Sequence, residues 1–225
     1  MKVVKPRGPE IFDIELEKDL LAKNKALAKA NRKRFDQARI TVVDVLGSVG
    51  SGKTSLIKAI LKKLGMGEKV AVIAGDLTTT IDADRIRVEG ARVVQVNTGK
   101  ECHLDANLIG RAVKNLKLDG TKILFIENVG NLICPGEFPL GAHKRVVVVS
   151  VTEGPYTVLK HPFIFKEADV VVLNKIDLAK VMKVSAAQLE RDAKRVNPHA
   201  VFVKTNALRG VGISKIIEVL GLPLA

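Results

Sequence analysis

The sequence has no tryptophan, one tyrosine and only two cysteines in 225 residues. Each shortage excludes something. With aromatics at 4%, few side chains can stack on the bases of a single nucleic-acid strand. Two cysteines cannot build a disulfide framework, and in a reducing compartment such a sparse pair is either buried thiol or metal ligand. No stretch approaches the ~20 uninterrupted apolar residues of a spanning helix. The opening Met1-Lys2-Val3-Val4-Lys5-Pro6-Arg7 is not followed by the apolar segment of a signal peptide. The expectation is a cytoplasmic protein with no membrane association.

What the sequence does contain is apolar and basic. Hydrophobic residues make up 47% and charged residues 27%, dispersed along the chain, which excludes wholesale disorder. Lys and Arg outnumber Asp and Glu by 37 to 24, a net charge of +13. A basic surface attracts any polyanion, but with so few stacking platforms a nucleic-acid partner is not expected.

Two parts are expected along the chain: residues 1–38 as a basic N-terminal helix extension and 39–225 as the main domain. Residues 10–35 read as one helix, with Ile14, Leu16, Leu20, Leu21, Leu27 and Ala28 at near-helical spacing and lysines and arginines crowding its later half. From Arg39 onward, short Val- and Ile-rich runs alternate with helical segments. The runs cover 40–46, 69–75, 92–96, 121–127, 144–151, 169–173 and 201–205; the helices cover 53–64, 80–89, 105–116, 157–166, 186–196 and 214–220. Nearly continuous apolar strands separated by helices imply an α/β fold with a doubly wound, mostly parallel sheet. Its ligands belong at the carboxyl ends of the strands.

The first strand runs straight into Gly47-Ser48-Val49-Gly50-Ser51-Gly52-Lys53-Thr54-Ser55, which fits G-x-x-x-x-G-K-[ST] and opens a helix. Glycines let backbone N–H groups turn toward phosphate oxygens, the helix presents its positive end, Lys53 neutralises the β- and γ-phosphates, and the Thr54 hydroxyl can ligate Mg²⁺. After another apolar run, Asn174-Lys175-Ile176-Asp177 fits N-K-x-D. The Asp177 carboxylate can accept both N–H donors of the guanine N1/N2 edge, Asn174 can read O6 and N7, and Lys175 can pack on the ring. Adenine would leave that carboxylate unpaired. GTP is therefore the expected nucleotide, with Asn206 in Thr205-Asn206-Ala207 completing the base pocket. Asp76 and Glu127 end strands where metal and γ-phosphate would lie. Thr54, Asp76 and Glu127 are the magnesium candidates, Lys53, Asp76 and Glu127 the catalytic ones, and Gly130 lets a backbone N–H approach the γ-phosphate. Asp76 or Asp82 alone can also be a helix cap.

Cys102-His103 and Cys134 form a credible but incomplete ligand set for Zn²⁺ or Ni²⁺, which usually take four ligands. A twofold dimer would bring four sulfurs and two imidazoles to a shared ion. The alternative is that both cysteines are small core residues and His103 caps the next helix. Cys134 follows Glu127 by seven residues, so a nucleotide-driven movement of 127–130 would displace it, which is the layout of a switch.

These segments together resemble the hydrogenase nickel-incorporation GTPases called HypB, within the dimerising class of P-loop GTPases. The resemblance covers about residues 40–220 and rests on the P-loop, Gly75-Asp76, Asn97-Thr98-Gly99-Lys100, Cys102-His103-Leu104-Asp105, Glu127-Asn128-Val129-Gly130-Asn131-Leu132 with Cys134-Pro135, Thr152-Glu153-Gly154 and Asn174-Lys175-Ile176-Asp177. It implies a GTP-hydrolysing homodimer that carries Ni²⁺, and binds Zn²⁺, at Cys102, His103 and Cys134. It further implies delivery of nickel to the large subunit of [NiFe] hydrogenase with a HypA-type chaperone. The cysteine-rich or histidine-rich start of many bacterial relatives is not in this sequence. Related dimerising ATPases carry a lysine where this loop has Ser48, and Lys160 is the candidate for any such role. The competing readings are a urease accessory GTPase resembling UreG, whose metal site resembles Cys-Pro-His, and a basic GTP-binding module associated with RNA or membrane.

Overall fold

The computed structural model describes residues 11–116 and 118–223, with side chains from residue 18 onward. Seven strands form one parallel sheet: β1 (Thr41–Gly47), β2 (Val70–Asp76), β3 (Arg92–Asn97), β4 (Ile123–Glu127), β5 (Lys144–Ser150), β6 (Val170–Asn174) and β7 (Val201–Lys204), in the order β3-β2-β4-β1-β5-β6-β7. All seven expected runs became strands: the five inner ones are largely apolar and buried on both faces, as a parallel sheet requires, while the edge strands β3 and β7 stay partly exposed. The chain leaves β1 toward β2 on one side and returns past β4 to β5 on the other. That reversal opens a crevice at the carboxyl end of β1, where such folds bind ligands.

Eight helices among the described residues cover the sheet: α1 (Ile11–Gln37), α2 (Lys53–Leu64), α3 (Ile81–Arg87), α4 (Ala106–Leu116), α5 (Thr157–Lys160), α6 (Pro162–Lys166), α7 (Ala186–Val196) and α8 (Ile213–Leu220). On one face α2 lays Leu56, Ile57, Ile60, Leu61 and Leu64 beside Ile213, Ile216, Ile217 and Leu220 of α8, against Val43, Val45, Val146 and Val148. Each such side chain gains roughly 1.5–3 kcal/mol on leaving water. The other face carries two apolar clusters. Phe35 and α4 cover Val42, Ala71, Ile73, Leu124 and Ile126, while α5, α6 and α7 cover Leu46, Val147, Val149, Val171 and Leu173.

Two local expectations are corrected. A single helix over 157–166 is broken at His161, because Pro162 brings no N–H to an i→i−4 bond and disfavours helical backbone in the residue before it. In α1, Leu20 and Leu27 are exposed, at 54% and 36%. The buried line instead runs through Asn24, Ala28, Asn31 and Phe35, while the side chains of Ile14 and Leu16 lie outside the described residues. Hydrogen bonds explain the asparagines. Asn24 Oδ1 accepts from Ala106 N and its Nδ2 donates to Pro139 O, and Asn31 Nδ2 donates to Ala106 O. Helix α1 therefore grips the start of α4, the helix that follows Cys102-His103.

Candidate functional site

The P-loop joins β1 to α2 and is shaped by its glycines. Gly52 has φ +101°, and a Cβ there would stand 2.2 Å from Asn174 Nδ2. As the N-cap of α2 it supplies no side-chain acceptor, and the first turn holds no acidic residue, so the helix N–H groups stay available to an anion. Lys53 Nζ lies across the loop and donates to Gly47 O and Ser48 O at 3.1 and 3.0 Å. Burial pushes its ammonium below the ordinary lysine range, and the carboxylates of Glu127, Asp82, Glu153 and Asp76 oppose that shift.

A cavity of about 370 Å³ opens in front of the loop. The structure brings to its wall Val49, Gly50, Gly52, Lys53, Thr54, Ser55, Asp76, Glu127, Gly130 and Lys175 from the sequence-derived set. Thr54 Oγ1 donates to Glu127 Oε1 at 2.7 Å, while Glu127 Oε2 is buried without a hydrogen-bond partner among the described residues. Burial raises the Glu127 carboxyl to about 7, against the pull of Lys53 and Thr54. A threonine hydroxyl beside an orphaned carboxylate oxygen is the hard-oxygen donor set that suits Mg²⁺. Asp76 accepts from Thr78 N and Thr79 N, at 3.0 and 2.8 Å. Partial burial raises its carboxyl, but the N–H groups of Thr79, Thr78 and Leu77 outweigh this and hold it below the usual range. A Cβ on Gly130 would sit 2.9 Å from Val49 N, so glycine lets this segment close on the P-loop.

Of the N-K-x-D motif and Asn206, only Lys175 lines that cavity; Asn174, Asp177 and Asn206 lie outside its wall. Asn174 is buried, its Nδ2 donating to Ser51 O and its Oδ1 accepting from Thr205 Oγ1 and Ala207 N. It braces the P-loop against the loop after β7, with one amide N–H left over. Lys175, at φ +58°, reaches over the loop to donate to Gly50 O at 2.7 Å. Asp177 is exposed, its carboxylate without a partner among the described residues. Asn206 spends Oδ1 on Arg209 N, capping a short turn.

Three residues near the P-loop were not singled out by sequence reasoning as nucleotide contacts. Asp82 and Arg85 of α3 pair at 3.1 Å on the cavity wall. Glu153 caps Ser150 N at 2.8 Å, and burial raises its carboxyl. Only an Asp-x-x-Arg spacing one helical turn long could have flagged the first two.

On the loops beyond the cavity, Cys102 Sγ, a ring nitrogen of His103 and Cys134 Sγ all lie within 4.8 Å of one another, each residue half-buried. Cys102 Sγ is 3.8 Å from His103 Nδ1. The adjacent Cys134 thiol, and then burial, push the Cys102 thiol up. Burial lowers the His103 imidazole despite Glu101 and Asp105, favouring the neutral ring that a metal binds. The ring stacks on Phe138 with centroids 3.8 Å apart. Both cysteines are free and neither joins an apolar cluster, so the inert-core alternative does not describe them. Nor is His103 the cap of α4, since Asp105 Oδ1 accepts from Leu108 N at 2.7 Å. Two thiols and an imidazole at this separation suit one borderline-soft divalent ion and leave a fourth position open. The same loops touch the phosphate side: Asn128, next to Glu127, accepts from Leu104 N at 3.2 Å.

Residues 41–204 match the family model described as "CobW/HypB/UreG, nucleotide-binding domain". The probable hydrogenase maturation factor HypB of Methanocaldococcus jannaschii is 49% identical over 205 residues, covering 91% of this chain and 93% of that protein. Among solved structures, hydrogenase maturation factor HypB from Archaeoglobus fulgidus superposes with a TM-score of 0.83 at 41% identity, covering 89% of this chain and 98% of the other. HypB from Helicobacter pylori, crystallised in complex with nickel, also gives 0.83, at 34% identity over 88% and 93% of the two chains.

Proposed function

Because the chain belongs to the CobW/HypB/UreG family of nucleotide-binding domains, we propose that it is a GTP-hydrolysing nickel metallochaperone for the maturation of [NiFe] hydrogenase. One observation carries this reading: the gathering of Cys102, His103 and Cys134 donors within 4.8 Å, on loops bonded to the wall of the phosphate cavity.

The residues divide the work. Asp177 and Lys175 hold guanine, while Asn174 fixes the base loop to the P-loop. Lys53 exchanges the carbonyls of Gly47 and Ser48 for phosphate oxygens. Thr54 and the free oxygen of Glu127 would hold Mg²⁺, with Asp76 orienting water beside it. When bound, that ion neutralises phosphate charge during γ-phosphoryl transfer to water. Gly130 brings its backbone against the P-loop, so the segment that meets the γ-phosphate runs within four residues into Cys134.

Nickel is the cargo, and zinc fits the same donors. Three ligands fall short of a closed site, so a second copy of the chain completes it. Val49 in the P-loop and Ile133 next to Cys134 are 82% and 63% exposed, an apolar surface that a homodimer would cover. A HypA-type chaperone and the hydrogenase large subunit are the proposed partners.

The test is nickel transfer in a purified system. Chain loaded with nickel is mixed with nickel-free hydrogenase large subunit, HypA-type partner and Mg²⁺, and both inserted nickel and released phosphate are followed. GTP should support insertion with phosphate release. Equal insertion without nucleotide, or with ATP in place of GTP, would overturn the reading.

A further inference from the structure

Asp44 lies in the middle of β1, in register with Ile126 of β4 and Arg145 of β5, and is 1% exposed. Its neighbours on the same face, Val42 and Leu46, enter the two apolar clusters described above, so this position would be expected to hold a valine or leucine. A buried ion pair is often no better for stability than apolar residues of similar volume. Packing therefore gives no reason for a carboxylate here, whereas its contacts do.

Two arms leave this carboxylate. Asn128 Nδ2 donates to Asp44 Oδ1 at 3.4 Å, and Asn128 Oδ1 accepts from Leu104 N at 3.2 Å and Val129 N at 3.0 Å. Asn128 follows Glu127, and Leu104 follows His103. On the other side, Arg145 Nε stands 3.6 Å from Asp44 Oδ2. The same guanidinium donates to Gly136 O, the last residue of the short turn Cys134–Gly136, at 3.3 Å, and meets Glu167 at 3.2 Å. One arm thus reaches the loop of Cys102 and His103, and the other reaches the turn of Cys134.

We infer that Asp44 is a positioning residue that holds the two metal-bearing loops in register with the nucleotide-sensing segment. A shift of Glu127 and Asn128 on nucleotide exchange is passed through Leu104 to Cys102 and His103. Cys134 is held back by Arg145 on the strand across β1, so the separation between its sulfur and the other two donors changes with the nucleotide. Asp44 touches neither phosphate nor metal in this scheme. The inference rests on the coupling of metal and nucleotide proposed above.

Nickel affinity is measured by titration on the full chain loaded with GDP or with a non-hydrolysable GTP analogue. Wild-type and Asp44→Asn are compared, with Arg145→Met as a second variant that removes one arm should the first fold poorly. In the wild type the two nickel affinities should differ by about tenfold; in either variant the ratio should fall below about twofold, while affinity for the GTP analogue stays within about threefold of wild type. A residue serving stability alone would lower thermal stability and leave the ratio unchanged. A variant that folds and keeps the wild-type ratio overturns the inference. A wild-type ratio near one overturns both the inference and the coupling beneath it.

Discussion

Asp177→Asn is expected to weaken GTP binding by roughly hundredfold and to raise affinity for xanthosine triphosphate. Guanine presents two N–H donors on its N1/N2 edge, and a carboxylate accepts both. An asparagine amide has one acceptor and meets the 2-amino group with its own N–H. Xanthine replaces that amino group by an oxygen and keeps N1–H, so the amide pairs with it at both positions. Charge-assisted hydrogen bonds are worth about 1.5–3 kcal/mol each, which sets the scale of the loss. Asp177 is exposed, with no hydrogen-bond or ion-pair partner among the described residues, so the substitution breaks no such bond. Titration with fluorescent GTP and xanthosine analogues measures the exchange, and unchanged GTP affinity would show that base choice lies elsewhere.

That residue could be identified from sequence because N-K-x-D is contiguous and its chemistry needs no distant partner. The same holds for Gly47-Ser48-Val49-Gly50-Ser51-Gly52-Lys53-Thr54, and for inner strands such as β4 and β6, whose apolar runs admit only burial on both faces. Residues whose role depends on another element were not legible. Asn24 and Asn31 stand in the buried line of α1 because Ala106, some 75 or more residues away, supplies their partners. Asp82 reads as a possible helix cap and Arg85 carries no motif until α3 folds beside the P-loop. Asn174 sits in a motif that sequence could find, but its bonds to Ser51, Thr205 and Ala207 come from three loops meeting in space. The metal constellation lay between these cases. Spacing proposed Cys102, His103 and Cys134 without deciding between ligands and inert thiols, and only the folded loops show the three donors together.

Cys134→Ala is expected to abolish stoichiometric nickel binding. It removes one of three donors already short of a full coordination shell, and the remaining pair, Cys102 and His103, are neighbours in sequence with little enclosure. Loss of a thiolate from such a site weakens binding by roughly a hundredfold or more. Cys134 is half-buried in a surface turn, so the substitution costs little packing, and the thermal unfolding curve should shift by only a few degrees. Dialysis against dilute nickel followed by metal analysis reads the outcome. Retention of one ion per dimer would remove Cys134 from the site.

In the proposed function, nucleotide state assembles a metal site shared by two chains. Native mass spectrometry of the nickel-supplied protein in the apo, GDP and Mg²⁺–GTP-analogue states tests it most directly, because one spectrum reports both oligomer and metal count. The expected spectrum shows a dimer in the GTP-analogue state carrying one nickel ion, with dimer and bound nickel depleted in the other states. Monomers each holding their own ion, in proportions indifferent to nucleotide, would contradict it.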